Sequence, residues 1–135
     1  MRNKIFFASI TFLLSLTVQA QLTNSKWTGI VHIQSDEDDS IRAVKSYWNF
    51  GKDTLQILLE GESATSSTIE VLSYHTIKNI LFMKKARGGS ACPIGTDAKA
   101  NFQIKEYKLL LLNNETACDA YKIAIDKNAS FVRVK

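Results

Sequence analysis

The chain has 135 residues, 45% of them hydrophobic and 22% charged, with one proline and two cysteines. That balance excludes collagen-like, low-complexity and wholly disordered architectures, and the length suits one domain, since two would each be too small to bury a good core. A formal charge of +4, from 17 basic and 13 acidic residues, is too mild to argue for nucleic acid without a clustered basic face.

The chain opens with a pattern that reads as a targeting segment rather than as part of the fold. Arg2 and Lys4 form a positive start, an apolar stretch of about a dozen residues follows, and Val18, Gln19 and Ala20 supply the small residues that a signal peptidase reads. The stretch is short of the roughly 20 residues needed to span a bilayer, although a retained anchor is the alternative. Residues 1–20 are therefore expected to be a cleaved signal peptide, and 21–135 one exported domain, periplasmic or secreted, with no membrane anchor left after cleavage. Removing Arg2 and Lys4 lowers the net charge by two, which leaves little for electrostatic steering.

Beyond residue 21 the dominant period is two. Trp27, Gly29, Val31 and Ile33 share one face of a first strand over 26–34, and Thr28, Ile30, His32 and Gln34 share the other. The acidic run 36–39 with Ser40 marks a turn, and residues 41–50 resume strand character. There Trp48 and Phe50 share a face that we place inward, opposite Tyr47 and Asn49. A short turn at 51–53 leads to Leu55, Ile57 and Leu59 in alternation, and a polar stretch over 61–67 reads as a loop. Residues 68–74 form a strand, and 76–84 a further strand segment with Ile77, Ile80, Leu81, Phe82 and Met83. A long loop is expected over 86–96, then a hairpin pairing 100–105 with 108–112 across Glu106 and Tyr107. Residues 119–125 suit a short helix with Tyr121, Ala124 and Ile125 on one side, and 131–134 a last strand.

About eight short strands with no long helix between them argue for one all-β domain, a sandwich or a closed barrel. Hairpins in series leave two exposed edges unless the first and last strands pair, and the strand at the C-terminus is the natural partner for 26–34. The result would be an antiparallel up-and-down β-barrel of about eight strands, its interior either filled by side chains or wide enough for one small ligand. Cys92 and Cys118 both lie in the exported part. In an oxidising compartment they most simply form a disulfide, worth roughly 3 kcal/mol in the chain-entropy account. The alternative, a catalytic thiol, has no protease or redox signature around it.

Other chemistry is thinly represented. The acidic run 36–39 lacks the spaced pattern of a calcium loop, and two histidines, His32 and His75, are too few for a His₃ zinc site. No metal and no cofactor are expected. There is no nucleophile elbow, and Gly88, Gly89 and Ser90 do not form a phosphate-binding loop, so no catalytic residue is assigned and the chain is read as a non-enzyme. Lys84, Lys85 and Arg87 make a small basic spot, read as a solvated face or, alternatively, an anionic-headgroup contact at a barrel mouth.

The stretch Leu22, Thr23, Asn24, Ser25, Lys26, Trp27, Thr28 resembles the Gly-x-Trp motif that opens the first strand of the lipocalin and fatty-acid-binding (calycin) superfamily, with Ser25 in the glycine's place. The order that follows is similar to small bacterial lipocalin-like domains. It comprises Trp48-Asn49-Phe50, a turn and Leu55, the 74–83 strand pair, Cys92 with Gly95, the Phe102 and Ile104 hairpin, and Cys118. Those domains often carry an Arg three residues after the second cysteine; Tyr121 stands there in this chain, leaving Arg133 as the candidate to pack on Trp27. The resemblance implies a barrel with one open end and an apolar interior. Its members bind small hydrophobic molecules or serve as inhibitors and stress proteins.

The expectation is therefore an exported barrel that binds a small hydrophobic or amphipathic molecule, with Trp48, Phe50, Ile57, Phe82 and Phe102 as ligand contacts and Trp27 as the plug of the barrel base. The alternative is a filled barrel that binds another exported protein, as partner or inhibitor, through loops such as 86–96. No nucleic-acid partner is expected.

Overall fold

A computed structural model of the protein describes residues 22–35, 37–61, 68–125 and 128–135. The expected signal peptide lies outside the described residues, as does most of the polar stretch 61–67. Eight strands follow in chain order: β1 (Ser25–Gln34), β2 (Ile41–Phe50), β3 (Thr54–Leu59), β4 (Thr68–Ile77), β5 (Ile80–Gly88), β6 (Asp97–Lys105), β7 (Lys108–Thr116) and β8 (Asn128–Arg133). A short helix, α1 (Asp119–Ala124), precedes β8.

Each strand pairs antiparallel with the next, and β8 returns to β1 through Trp27 opposite Arg133, Thr28 opposite Val132 and Gly29 opposite Phe131. The strands therefore form a closed up-and-down barrel and not a sandwich, with the first and last strands paired as the edge argument requires. No helix among the described residues is long and apolar enough to cross a membrane.

Element boundaries depart from the sequence reading in places, each for a local reason. The run over 74–84 is broken by a two-residue turn at Lys78 and Asn79, where Lys78 takes φ 55° without the glycine that would have announced it. β5 extends three residues into the expected 86–96 loop, because Arg87 and Gly88 still pair with Val71 and Glu70. The β6–β7 hairpin is longer than 100–105 and 108–112, since Ala98 and Lys99 keep pairing with Thr116 and Glu115 past a bulge.

The base of the barrel carries the 51–53, 78–79 and 106–107 turns, and it is closed from inside. The Trp27 indole N–H donates to Ser25 Oγ at 2.8 Å, and Ser25 Oγ in turn donates to the Leu22 carbonyl. The Arg133 guanidinium lies 5.7 Å from the Trp27 ring centroid, within cation–π range. Above this plug the aromatic rings touch in series. Trp48 sits 4.8 Å from Phe131 and 6.5 Å from Phe50, and Phe50 meets Tyr74 edge-on at 5.1 Å. Gly29 makes room for this packing: a Cβ there would fall 2.9 Å from Phe131 Cε1 and closer still to Cδ1, so the ring lies directly over the glycine.

Candidate functional site

Three regions could carry function: the barrel interior, its mouth, and the outer wall. Trp48, Phe50 and Phe102 all point inward and are essentially buried, at 1–2% exposure, and Ile57 packs against the same cluster opposite Trp48. Leu55, Leu81, Leu109, Leu111 and Phe131 fill the positions between them with no exposure at all. Eight strands enclose a space just wide enough for such side chains to fill. The expectation that Phe82 joins this interior set is corrected: the turn at 78–79 places Leu81 and Met83 on the inner face and Phe82 outside, stacked on His75 at 4.9 Å with the rings 7° from parallel. One interior polar atom, Trp48 Nε1, has no hydrogen-bond partner among the described residues.

The mouth, at the end of the longer connections, is closed by a buried ionic network. Lys85 and Glu70, 3% and 5% exposed, face each other with Nζ to Oε1 at 3.3 Å. Lys85 also donates to the carbonyls of Ser90 (3.1 Å) and Cys92 (2.7 Å) and to Ser90 Oγ (3.1 Å). Glu70 accepts the Ser90 N–H at 2.9 Å and the Tyr121 hydroxyl at 2.5 Å. Gly88, opposite Glu70, has φ +147°, and a Cβ there would collide with the Ile69 carbonyl and the Glu70 carboxyl, so this crossing demands glycine.

The disulfide between Cys92 and Cys118, with Cα atoms 5.8 Å apart, ties the loop that holds Lys85 to the start of α1, which delivers Tyr121. The expected disulfide is thus present. Lys85 is no part of a solvated basic spot; among the trio 84, 85 and 87 it is the buried member. With these donors and acceptors matched, the network acts as a latch on the mouth rather than as a free base or nucleophile.

The sequence reading passed over Glu70, although a signal was there: a lone carboxylate at the same parity as Leu72 and Tyr74, facing a lone lysine at the parity of Leu81 and Met83. Burial first, then the hydrogen bond to Glu70 and its charge, push the Tyr121 hydroxyl well above its ordinary 10.0. The folded chain therefore resists an ionisation that the unfolded chain undergoes. Stability from neutral Tyr121 is complete below pH 10 and declines as the pH climbs above it. Chemical denaturation at neutral pH and above pH 10 should show the wild type losing more stability than Tyr121→Phe. An equal loss would remove Tyr121 from the account. Tyr74, also raised by burial, contributes equally to both chains.

The third region is an open groove of about 1040 Å³ on the outer wall of β4, β5 and β6, bounded by Pro93 and Thr96 of the β5–β6 loop and by residues 115–118. The His75–Phe82 stack forms an aromatic platform in it. The ion pairs Lys84–Asp97 (3.7 Å) and Lys99–Glu115 (3.2 Å) stand among its lining residues, all four side chains solvated. Its volume is in the range of sites that take a drug-sized molecule or a few residues of peptide. Among the described residues no group of three or more His, Cys, Asp or Glu side chains could hold a metal ion.

Compared with known proteins, the chain matches no family model, no curated protein and no solved structure.

Proposed function

We propose that this protein is an exported, lipocalin-like barrel that binds another exported protein at its surface, with the filled barrel as a rigid scaffold and the outer groove as the contact. The observation that carries this reading is the location of space. The residues chosen as ligand contacts inside the barrel pack on one another, whereas open volume lies outside, beside the disulfide-stapled loops. Trp27 in the first strand with Arg133 over it supports the lipocalin-like assignment, in which members recruited as inhibitors use the same scaffold.

An extended segment is the occupant the groove suits. The His75–Phe82 platform offers a flat surface for stacking, and the two solvated ion pairs can exchange one partner for a charge on the incoming chain. The small-molecule reading retains one specific observation: the unpartnered indole N–H of Trp48 would suit an acceptor inside the barrel.

A photo-crosslinking residue placed at Phe82, and a control at Ile41, distinguishes these readings in the native exported fraction. A discrete protein adduct from position 82 and none from position 41 is expected. Mass spectrometry of an organic extract of the same protein is the counter-test. A reproducible small molecule near one per chain, with no adduct at 82, would overturn the surface reading in favour of an interior ligand.

A further inference from the structure

The wall opposite the groove has a different chemistry. In an eight-stranded barrel β1 stands four strands from β5, so β8, β1 and β2 form the side facing away from the groove. Trp27, Gly29 and Val31 point inward, which sends Lys26, Thr28 and Ile30 outward. Across the register, Thr28 lies beside Val132 and Tyr47, Ile30 beside Lys45, and Val132 beside Lys108. Ile30 and Val132 are 50% and 49% exposed, and the Tyr47 ring is flanked by the ammonium groups of Lys26 (5.2 Å) and Lys45 (5.6 Å). The outward positions of β1 and β2, and those of β7 between Lys108 and Leu112, carry Lys26, Lys45 and Lys108 among neutral polar and apolar side chains, with no carboxylate. The nearest carboxylates stand at the margins, Glu37, Asp38 and Asp39 on the exposed tip that joins β1 to β2, and Glu60 and Glu106 beyond the strand ends.

From this arrangement we infer that the β8–β1–β2 wall docks on the surface of an anionic lipid bilayer. A second copy of the chain is a poor occupant, because a two-fold contact would set Lys26, Lys45 and Lys108 against themselves. An acidic protein would match the charge, but a stable protein interface needs a contiguous, close-packed apolar core. Here the wall is the outside of a barrel, and its two half-exposed aliphatic side chains stand apart, Ile30 beside Lys45 and Val132 between Thr28 and Lys108. A bilayer interface accepts that pattern: isolated aliphatic and tyrosine side chains enter the headgroup region, while lysine stems lie along it with their charges toward the phosphates. Docked this way, the barrel would hold its groove away from the membrane, open to a partner.

Partition onto vesicles of mixed phosphatidylglycerol and phosphatidylcholine, compared with pure phosphatidylcholine, tests the inference. The protein and its variants are prepared identically, so any contribution of residues 1–21 is common to all. At low salt the wild type should favour the anionic vesicles. The triple variant Lys26→Gln, Lys45→Gln, Lys108→Gln should lose about a hundredfold, roughly fivefold per lysine. The same charge change at Lys78, Lys84 and Arg87, on β5 and the turn before it at the opposite side of the barrel, should shift partition by no more than a few-fold. Ile30→Ser with Val132→Ser should weaken binding about tenfold without altering its salt dependence. All of these substitutions are at exposed positions, and circular dichroism checks that the barrel persists. Equal partition onto both vesicle types, or equal losses from the two triple variants, would overturn the inference. Capture on immobilised polyglutamate without partition onto anionic vesicles would overturn it in favour of an acidic protein.

Discussion

Glu70→Gln will destabilise the fold by about 3–5 kcal/mol, the cost of leaving one member of a buried ion pair without its partner. The size follows from the surroundings. Lys85 is almost wholly buried, so its ammonium cannot turn to water once the carboxylate is gone, and Tyr121 loses the acceptor of its hydroxyl. Removing the lysine as well, in Glu70→Gln with Lys85→Met, should recover only part of the loss. The carbonyls of Ser90 and Cys92 would then lack the donor that Lys85 gives them, and buried carbonyls without donors are costly. Urea denaturation of the two variants beside the wild type measures both effects. A loss under 1 kcal/mol for Glu70→Gln would mean that the mouth is wet and the latch is not a unit.

The second large effect concerns the disulfide. Cys92→Ser with Cys118→Ser should cost about 3.5 kcal/mol through the greater freedom of the unfolded chain alone, since the bond closes a loop with a sequence separation of 26. A further loss is expected because the bond joins the two halves of the mouth: the loop carrying Ser90 and Cys92, and the helix carrying Tyr121. Wild-type protein denatured under reducing conditions should match the double variant, and combining the double variant with Tyr121→Phe should cost less than the two changes summed. Strict additivity would show that the disulfide and the hydroxyl act independently.

Much of the architecture was legible in the chain itself. Period-two alternation set Trp27 and Val31 against Thr28 and Ile30, and Trp48 and Phe50 against Tyr47, and the barrel buries the faces this alternation chose. The C-terminal strand pairs with the first because a barrel has no other way to remove both edges, and the two cysteines form the disulfide expected of them. These features depend on local pattern or on a rule that every sheet obeys, so one dimension was enough.

The site was less legible because it depends on register. Phe82 looks as apolar as Leu81, and only the placement of the 78–79 turn, made by a lysine and an asparagine without glycine or proline, decides which of them faces out. Glu70 is the one carboxylate of β4, and Lys85 is the one inward-facing base among three on β5. They become a pair because the β4–β5 register sets those strands side by side, and a buried pair because α1 is drawn over them by the disulfide. Alternation and cysteine usage determined that this is a stapled all-β barrel. Whether its space lies inside or outside was decided by tertiary packing alone, since the volume left in a closed barrel depends on how all of its inward side chains fit together.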